Sequence, residues 1–422
     1  MVLCLLKRMS NAMVNVGYDI KIMGLVGFAH AASHFFHLIL PPLFPILKPD
    51  FGVSYVELGL LTTLFYGASG VTQTIAGFLV DRFGARKVLL CGLTVLSLSV
   101  IGYGFSSSFW ELLLLSITAG LGNSVFHPAD LSILTTKISP KRLGKAYAVH
   151  AFSGNIGWAL APIFVVTVAS FWDWRATTMT AGIIGLIIVG IFFLSNDLLT
   201  DNELKEQIPN TAPKENFSSI WGGAKIFFST TMMSCFFFFT FLAAALIGIQ
   251  TFGVAALQSL YELDLTNATT ALTAFLIGSA LGILIGGIIA DKISRHDIAA
   301  ILGVALASII LIIIGSKFIS PYFVILALAL AGFFSGTTAP SRDMLIRKVT
   351  PNGASGRVFG FVYSGLDLGS SAMPLLAGAL MDSEKPHMIF YACALMLIIA
   401  ILTIRKLREN SIFFKDINIS RK

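Results

Sequence analysis

Long apolar stretches dominate the chain, and short polar segments punctuate them. Runs of about 20 residues almost free of charge recur from one end to the other, each long enough to cross a bilayer as a helix. Reading them between charge clusters predicts twelve spans, at 22–47, 55–80, 88–105, 109–136, 146–171, 176–194, 225–258, 266–290, 298–315, 321–347, 356–381 and 386–405. Barrel strands alternate inward and outward residues over roughly 10 positions, and these runs are longer and more continuously apolar than that. The predicted fold class is an all-α polytopic membrane protein with twelve transmembrane helices. Residues 1–21 form a lead-in, 22–194 a first six-helix half, 195–224 the longest polar loop, 225–405 a second six-helix half, and 406–422 a basic tail.

Composition agrees. Only 12% of the residues are charged, against 56% hydrophobic, whereas a soluble domain has about 25% charged residues. The lead-in lacks the apolar core and small-residue cleavage site of a signal peptide. Cys4, Cys91, Cys235 and Cys393 stand singly, which predicts neither a disulfide framework nor a zinc finger. No GxSxG, HExxH or Walker A pattern occurs. Neither an enzyme nor a cofactor is expected, and no ATP-driven step within this chain.

The net charge of +7 has a topological explanation. The termini and the loops between even and following odd spans hold 24 of the 29 lysines and arginines. The opposite loops hold only Lys48, Arg175, Lys317 and Lys385, and Arg342 falls within a span. The positive-inside rule then predicts both termini on the cytoplasmic side, facing anionic lipid. Nucleic acid is not an expected partner.

The halves echo one another. GFLVDRFGARK after span 2 and GIIADKISRHD after span 8 both set glycine four residues before aspartate, with a basic residue next: Gly77 and Asp81, Gly287 and Asp291. HPADLSILT and APSRDMLIR place Pro128 and Pro340 212 residues apart, an offset that Gly144 and Gly356, Gly157 and Gly369, and Pro162 and Pro374 keep. Parallel repeats of this kind build one large class of secondary transporter.

These residues resemble the major facilitator superfamily. Its loop signature G-x-L-x-D-R-x-G-R-K is matched by Gly77, Leu79, Asp81, Arg82, Gly84, Arg86 and Lys87, with Ala85 moving the basic pair one place later. GLGNSVFHPADLSIL is similar to span 4 of the fosmidomycin-resistance branch. That branch has a histidine, an Asn-Asp and a proline in span 1; this chain has His30, Ser33, His34 and Pro45, with Ser-His replacing Asn-Asp. The resemblance implies alternating access around a site lined by spans 1, 4, 7 and 10, in a monomer of the bacterial inner membrane. It implies proton-coupled export of a small organic molecule or drug. Proton-coupled uptake of a small organic anion, with Arg342 as the anion contact, is the alternative.

The loop motif is expected to work as a latch. Gly77 and Gly84 would allow close helix approach, and Asp81 would fasten the cytoplasmic side in the outward-open state, with Arg82, Arg86 and Lys87 as cationic partners or lipid contacts. Ionisable groups inside spans are costly in hydrocarbon and so mark candidate sites. His127 and Asp130 lie three apart on one face of span 4, beside Asn123; His150 lies on span 5, Arg342 on span 10 and Asp367 on span 11. Asp130 and Arg342 are repeat-equivalent, which invites a pairing across the cavity; satisfaction within each half, as by His127 and Asp343, is the alternative. Pro128 and Pro340 would kink their helices. Gln73 and Gln250 are candidate uncharged contacts.

The stretch FAHAASHFFHLILPPLFP carries His30, His34 and His37 at i, i+4 and i+7, within about 60° of arc on one helix face. Helix 1 offers no nearby cysteine or carboxylate, so a metal is not expected. Proton or substrate handling is the reading adopted, since imidazole titrates near physiological pH; structural hydrogen bonding to neighbouring helices is the alternative. His30 is retained from the family pattern, and His34 stands at its acidic position.

Overall fold

A computed structural model describes residues 2–139, 142–195, 228–349 and 355–419, with side chains described within 16–346 and 361–404. The predicted loop 195–224 falls outside the described residues apart from Ser195. The first half comprises α1 (Val2–His37), a 3-10 turn (Pro41–Leu43), α2 (Phe44–Phe51), α3 (Tyr55–Phe83), α4 (Ala85–Phe105), α5 (Phe109–Asn123), α6 (Phe126–Lys137), α7 (Leu143–Phe171) and α8 (Trp174–Leu194). The second comprises α9 (Thr230–Tyr261), α10 (Leu265–Lys292), α11 (His296–Gly315), α12 (Pro321–Val349), α13 (Ser355–Asp382) and α14 (His387–Ile419). Joining α1 to α2, and α5 to α6, gives six passes per half.

Ten of these passes are long and apolar enough to cross a membrane on their own composition. The two that fall short, α3 and α13, are the pair packed on each other across the halves. Small residues of both, among them Gly59, Gly369 and Gly378, lie against protein, and such residues dilute the hydropathy.

Local chemistry explains the breaks. Pro41, Pro42 and Pro45 cannot donate to a helical ladder, so predicted span 1 ends as α1 at His37 and resumes as α2. Gly52 closes α2 at φ 64°, a conformation that glycine adopts without strain. Ser54 and Glu57 then form a capping box at the start of α3. Span 4 breaks at Ser124–Val125, just before Pro128, where that proline removes a ladder donor. In the second half α12 continues through Pro340 without interruption. The expected symmetry of the two proline sites therefore extends to sequence but not to a shared helix break.

Hydrogen bonds and glycine contacts seal one end between the halves. Asp382, the last residue of α13, accepts hydrogen bonds from the backbone N–H groups of Tyr55 (2.8 Å) and Val56 (2.9 Å) at the start of α3. A carboxylate there satisfies orphan donors and meets the positive end of the helix dipole, worth about 0.3–1 kcal/mol. One turn inward, Thr63 donates to the Ser371 carbonyl at 2.7 Å. Gly59 lies so close to α13 that a Cβ would meet the Pro374 carbonyl oxygen at 2.5 Å, and Gly378 meets the Tyr55 carbonyl in the same way. Phe44 and Tyr55 both pack on Phe252 of α9. The seam contacts run inward as far as Gly70 and Asp367. Across the halves α7 also packs on α10, while α6 and α12 make no comparable contact.

Gly378→Leu must wedge α3 from α13, and overpacking of this kind costs roughly 1–3 kcal/mol. The expected outcome is faster labelling of a Thr63→Cys reporter by a thiol reagent in the Gly378→Leu background than in the otherwise native chain; equal rates would show that the seam does not depend on this approach.

Candidate functional site

Five of the seven histidines converge in the first half. Helix α1 carries His30, His34 and His37 in a column, with ring centroids 4.4 Å and 4.9 Å apart along it. Helix α6 brings His127, and α7 brings His150, whose ring stacks on His30 at 3.6 Å. His30 lies about 16 Å along the axis from Asp19 at the far end of the span, near mid-depth. The predicted face of α1 is thus real, and it points inward.

The approach of α7 makes room for the rings. Gly157 sits against the Ala31 backbone, and a Cβ at Gly154 would meet the His34 ring at 2.7 Å and His30 Nε2 at 2.9 Å. Any side chain at these two positions would push α7 away from α1.

Asp130, on α6, is 0% exposed. Its Oδ2 lies 3.1 Å from His150 Nε2 and 3.3 Å from His30 Nδ1. The carboxylate missing from helix 1 is therefore supplied by a different helix, which is where the reading along one segment fell short. Asp130 Oδ1, His30 Nδ1 and His34 Nδ1 are buried without hydrogen-bond partners. His127 is exposed and forms the accessible side of the group.

His37 is held differently. The Trp158 indole N–H donates to its Nδ1 at 3.2 Å, which leaves Nε2 to donate to Asn123 Oδ1 at 2.9 Å. Asn123 Oδ1 also accepts from Ser33 (2.8 Å), and its Nδ2 donates to Ser69 (3.0 Å). One amide so ties α1, α3 and α5 together. Tyr66 Oη lies 3.3 Å from His37 Nδ1. Trp158, Tyr66 and Ser69 were missed by the sequence reading. They are ordinary residues of apolar spans there, and no spacing marks them.

The other candidates lie elsewhere. Gln73 is half-buried on α3 and makes no hydrogen bond among the described residues. Gln250 is buried on α9 with its Oε1 unpartnered. Arg342 does not reach Asp130 in this conformation: its Nε donates to Asp343 at 2.9 Å, and its guanidinium lies 4.5 Å over the Phe239 ring. Asp367 packs against Gly70 on the seam between halves, and its carboxylate has no hydrogen-bond partner among the described residues.

The loop motif is open here. Asp81 is exposed, as are Arg82, Lys87 and Asp291. Arg82 lies over the Phe83 ring, and Arg86 donates to the Phe193 carbonyl at 3.0 Å, capping α8. Close approach at Gly77 is not seen: nothing lies within 4 Å of a Cβ built there or at Gly287. Gly84 is needed for its backbone instead, at φ 92° between α3 and α4.

Two like six-helix halves, the first with a buried ionisable cluster, are the architecture of one large class of membrane transport proteins. The family model described as Major Facilitator Superfamily matches residues 26–263 and 237–412, and the chain belongs to that family. It is 24% identical over 390 residues to the Fosmidomycin resistance protein of Escherichia coli (strain K12), covering 91% of this chain and 92% of that one. It is 26% identical to the Membrane sensor protein UhpC of the same organism over 75% of this chain and 76% of the relative. In fold it is similar to a bacterial homolog of the human lysosomal transporter Spinster, solved inward-facing and occupied, with TM-score 0.75, 13% identity, and coverage of 93% and 97%. Nucleoside transporter NupG gives TM-score 0.71, 14% identity, and coverage of 92% and 98%.

Gly154→Val should crowd His30 and His34 and lower transport at least tenfold at unchanged membrane abundance. Gly144, with nothing within 4 Å of a built Cβ, should accept alanine with little loss. Equal transport by both variants would show that the packing of α7 on the histidines is unimportant.

Proposed function

We propose that the protein is a proton-coupled exporter of a small organic molecule, working by alternating access in a bacterial inner membrane with both termini cytoplasmic. On that orientation the end sealed by Asp382 is the outer end, and the conformation described is inward-facing. Open loop motifs support this, since Asp81 would be free when the cytoplasmic side is open. Export is supported by the likeness to the Fosmidomycin resistance protein. Arg342 is already engaged by Asp343 and Phe239, which weighs against its serving as the anion contact of an uptake system.

The observation that carries the proton coupling is Asp367. Burying a carboxylate in a membrane is costly, while burying a carboxylic acid is much less so. Asp367 sits at the seam that must part and close as the halves rock. A carboxyl group there can take a proton when the seam shuts over it and release it when water enters. Tyr66 faces it from α3, Tyr363 lies one turn away on its own helix, and α9, which also packs on α13, carries no charged residue. Among the described residues no cation contacts its carboxylate to compete with the proton. The solute would sit between the halves, within reach of His127 and Gln250.

In inside-out vesicles an imposed proton gradient should drive solute accumulation. Asp367→Asn should abolish that accumulation at least tenfold while leaving solute exchange at equal pH intact. Undiminished gradient-driven transport by this variant would remove Asp367 from the coupling, and gradient-driven loss from inside-out vesicles would reverse the direction.

A further inference from the structure

We propose that His30, His127 and His150, with Asp130, form a binding site for one divalent transition-metal ion of the zinc class. The inference goes beyond the transport reading and needs neither the coupling residue nor the direction assigned above.

Three imidazoles from three helices converge: one ligand nitrogen from each lies within 4.8 Å of the other two. Tetrahedral zinc with bonds of about 2.0–2.1 Å to nitrogen needs its ligands roughly 3.4 Å apart. The required contraction is on the order of 1 Å, and His127, on the exposed side of the group with its ring 5.2 Å from that of His30, can supply it by rotating its side chain. The orientation of the rings is already suitable. His30 Nε2 is turned to the backbone at Gly154, where a Cβ would come within 2.9 Å. Its other nitrogen, Nδ1, therefore faces Asp130, and His150 Nε2 faces the same carboxylate oxygen.

Unsatisfied atoms point to a ligand independently. His30 Nδ1 and Asp130 Oδ1 are buried without hydrogen-bond partners. An orphaned buried polar group costs about 1–3 kcal/mol, and here two of them lie in one group. A bound cation would satisfy both, and its charge would be partly neutralised by the carboxylate.

The donor set selects the metal class. Neutral imidazole suits zinc, cobalt and nickel, whereas magnesium and calcium take oxygen ligands. None of the described cysteines, Cys91, Cys235 and Cys393, belongs to the group, so the thiolate chemistry that favours copper(I) is not on offer. His34, whose ring lies tilted against those of His30 and Trp158 (4.4 and 4.2 Å), supports the ring of one ligand.

The test uses the full chain, untagged, purified in detergent and stripped with a chelator. Titration with zinc chloride by calorimetry should show one saturable site, and zinc should raise the thermal unfolding midpoint. His127→Ala, which removes an exposed side chain and so spares the fold, should weaken the site at least tenfold. Cobalt(II) should give the intense visible absorption of a tetrahedral nitrogen-rich site in the native chain and lose it in His127→Ala. Asp367→Asn should bind zinc as the native chain does, which keeps this result separate from the coupling experiment. No saturable binding, or binding that His127→Ala leaves undiminished, would overturn the proposal.

Discussion

A fully buried carboxylate in a membrane protein imposes terms on everything near it. Leaving Asp130 unpaired would cost several kcal/mol, and hydrocarbon offers it no partner. Two imidazoles therefore meet it, one from α1 and one from α7. Both helices must come close to α6 and to each other, which excludes side chains at Gly154 and Gly157. The break at Ser124–Val125 then makes α6, which carries Asp130 and His127, an element separate from α5. The cluster and the helix packing are one requirement seen at two scales.

The two halves answer the same repeat with different chemistry. The first concentrates five histidines and Asp130 in its interior. In the second half Arg342 pairs with its neighbour Asp343 on α12 and lies over Phe239 of α9. Sequence symmetry thus fixes where helices run and which breakers they carry, while function diverges at single positions. Asp130 and Arg342 occupy equivalent places, and in this conformation each meets partners from its own half rather than the other.

The bundle was legible because its signal is long-range and redundant: twelve apolar runs, the charge bias of the loops, and repeated prolines and glycines. The face of α1 was legible for a simpler reason, since i, i+4, i+7 spacing is geometry. What could not be read was convergence between helices. Nothing in the spacing of His30, His34 and His37 says that Asp130, a hundred residues on, completes the group, or that Trp158 fixes the tautomer of His37. Glycines misled for a related reason. Gly77 resembles a packing glycine and touches nothing, whereas Gly154, unremarked in sequence, is the one that the imidazoles need.

The contrast between the cluster and the outer seam bears on how such a molecule can move. Around Asp130 the polar atoms are buried, and parting them would expose a charge to hydrocarbon. Between α3 and α13 the polar contacts are of another kind: a carboxylate on two backbone N–H groups and a hydroxyl on a carbonyl, near an exposed end. Water can replace each of those bonds at little net cost, since an intramolecular hydrogen bond is worth only about 0.5–1.5 kcal/mol over its hydrated alternative. The seam is thus the surface along which the halves can separate, and the first half can rock as a body with its histidine cluster intact. Asp367 is the exception on that surface. It packs against Gly70 at the innermost of these contacts with no hydrogen-bond partner among the described residues, so on the coupling proposed above its protonation and the closing of the seam would go together.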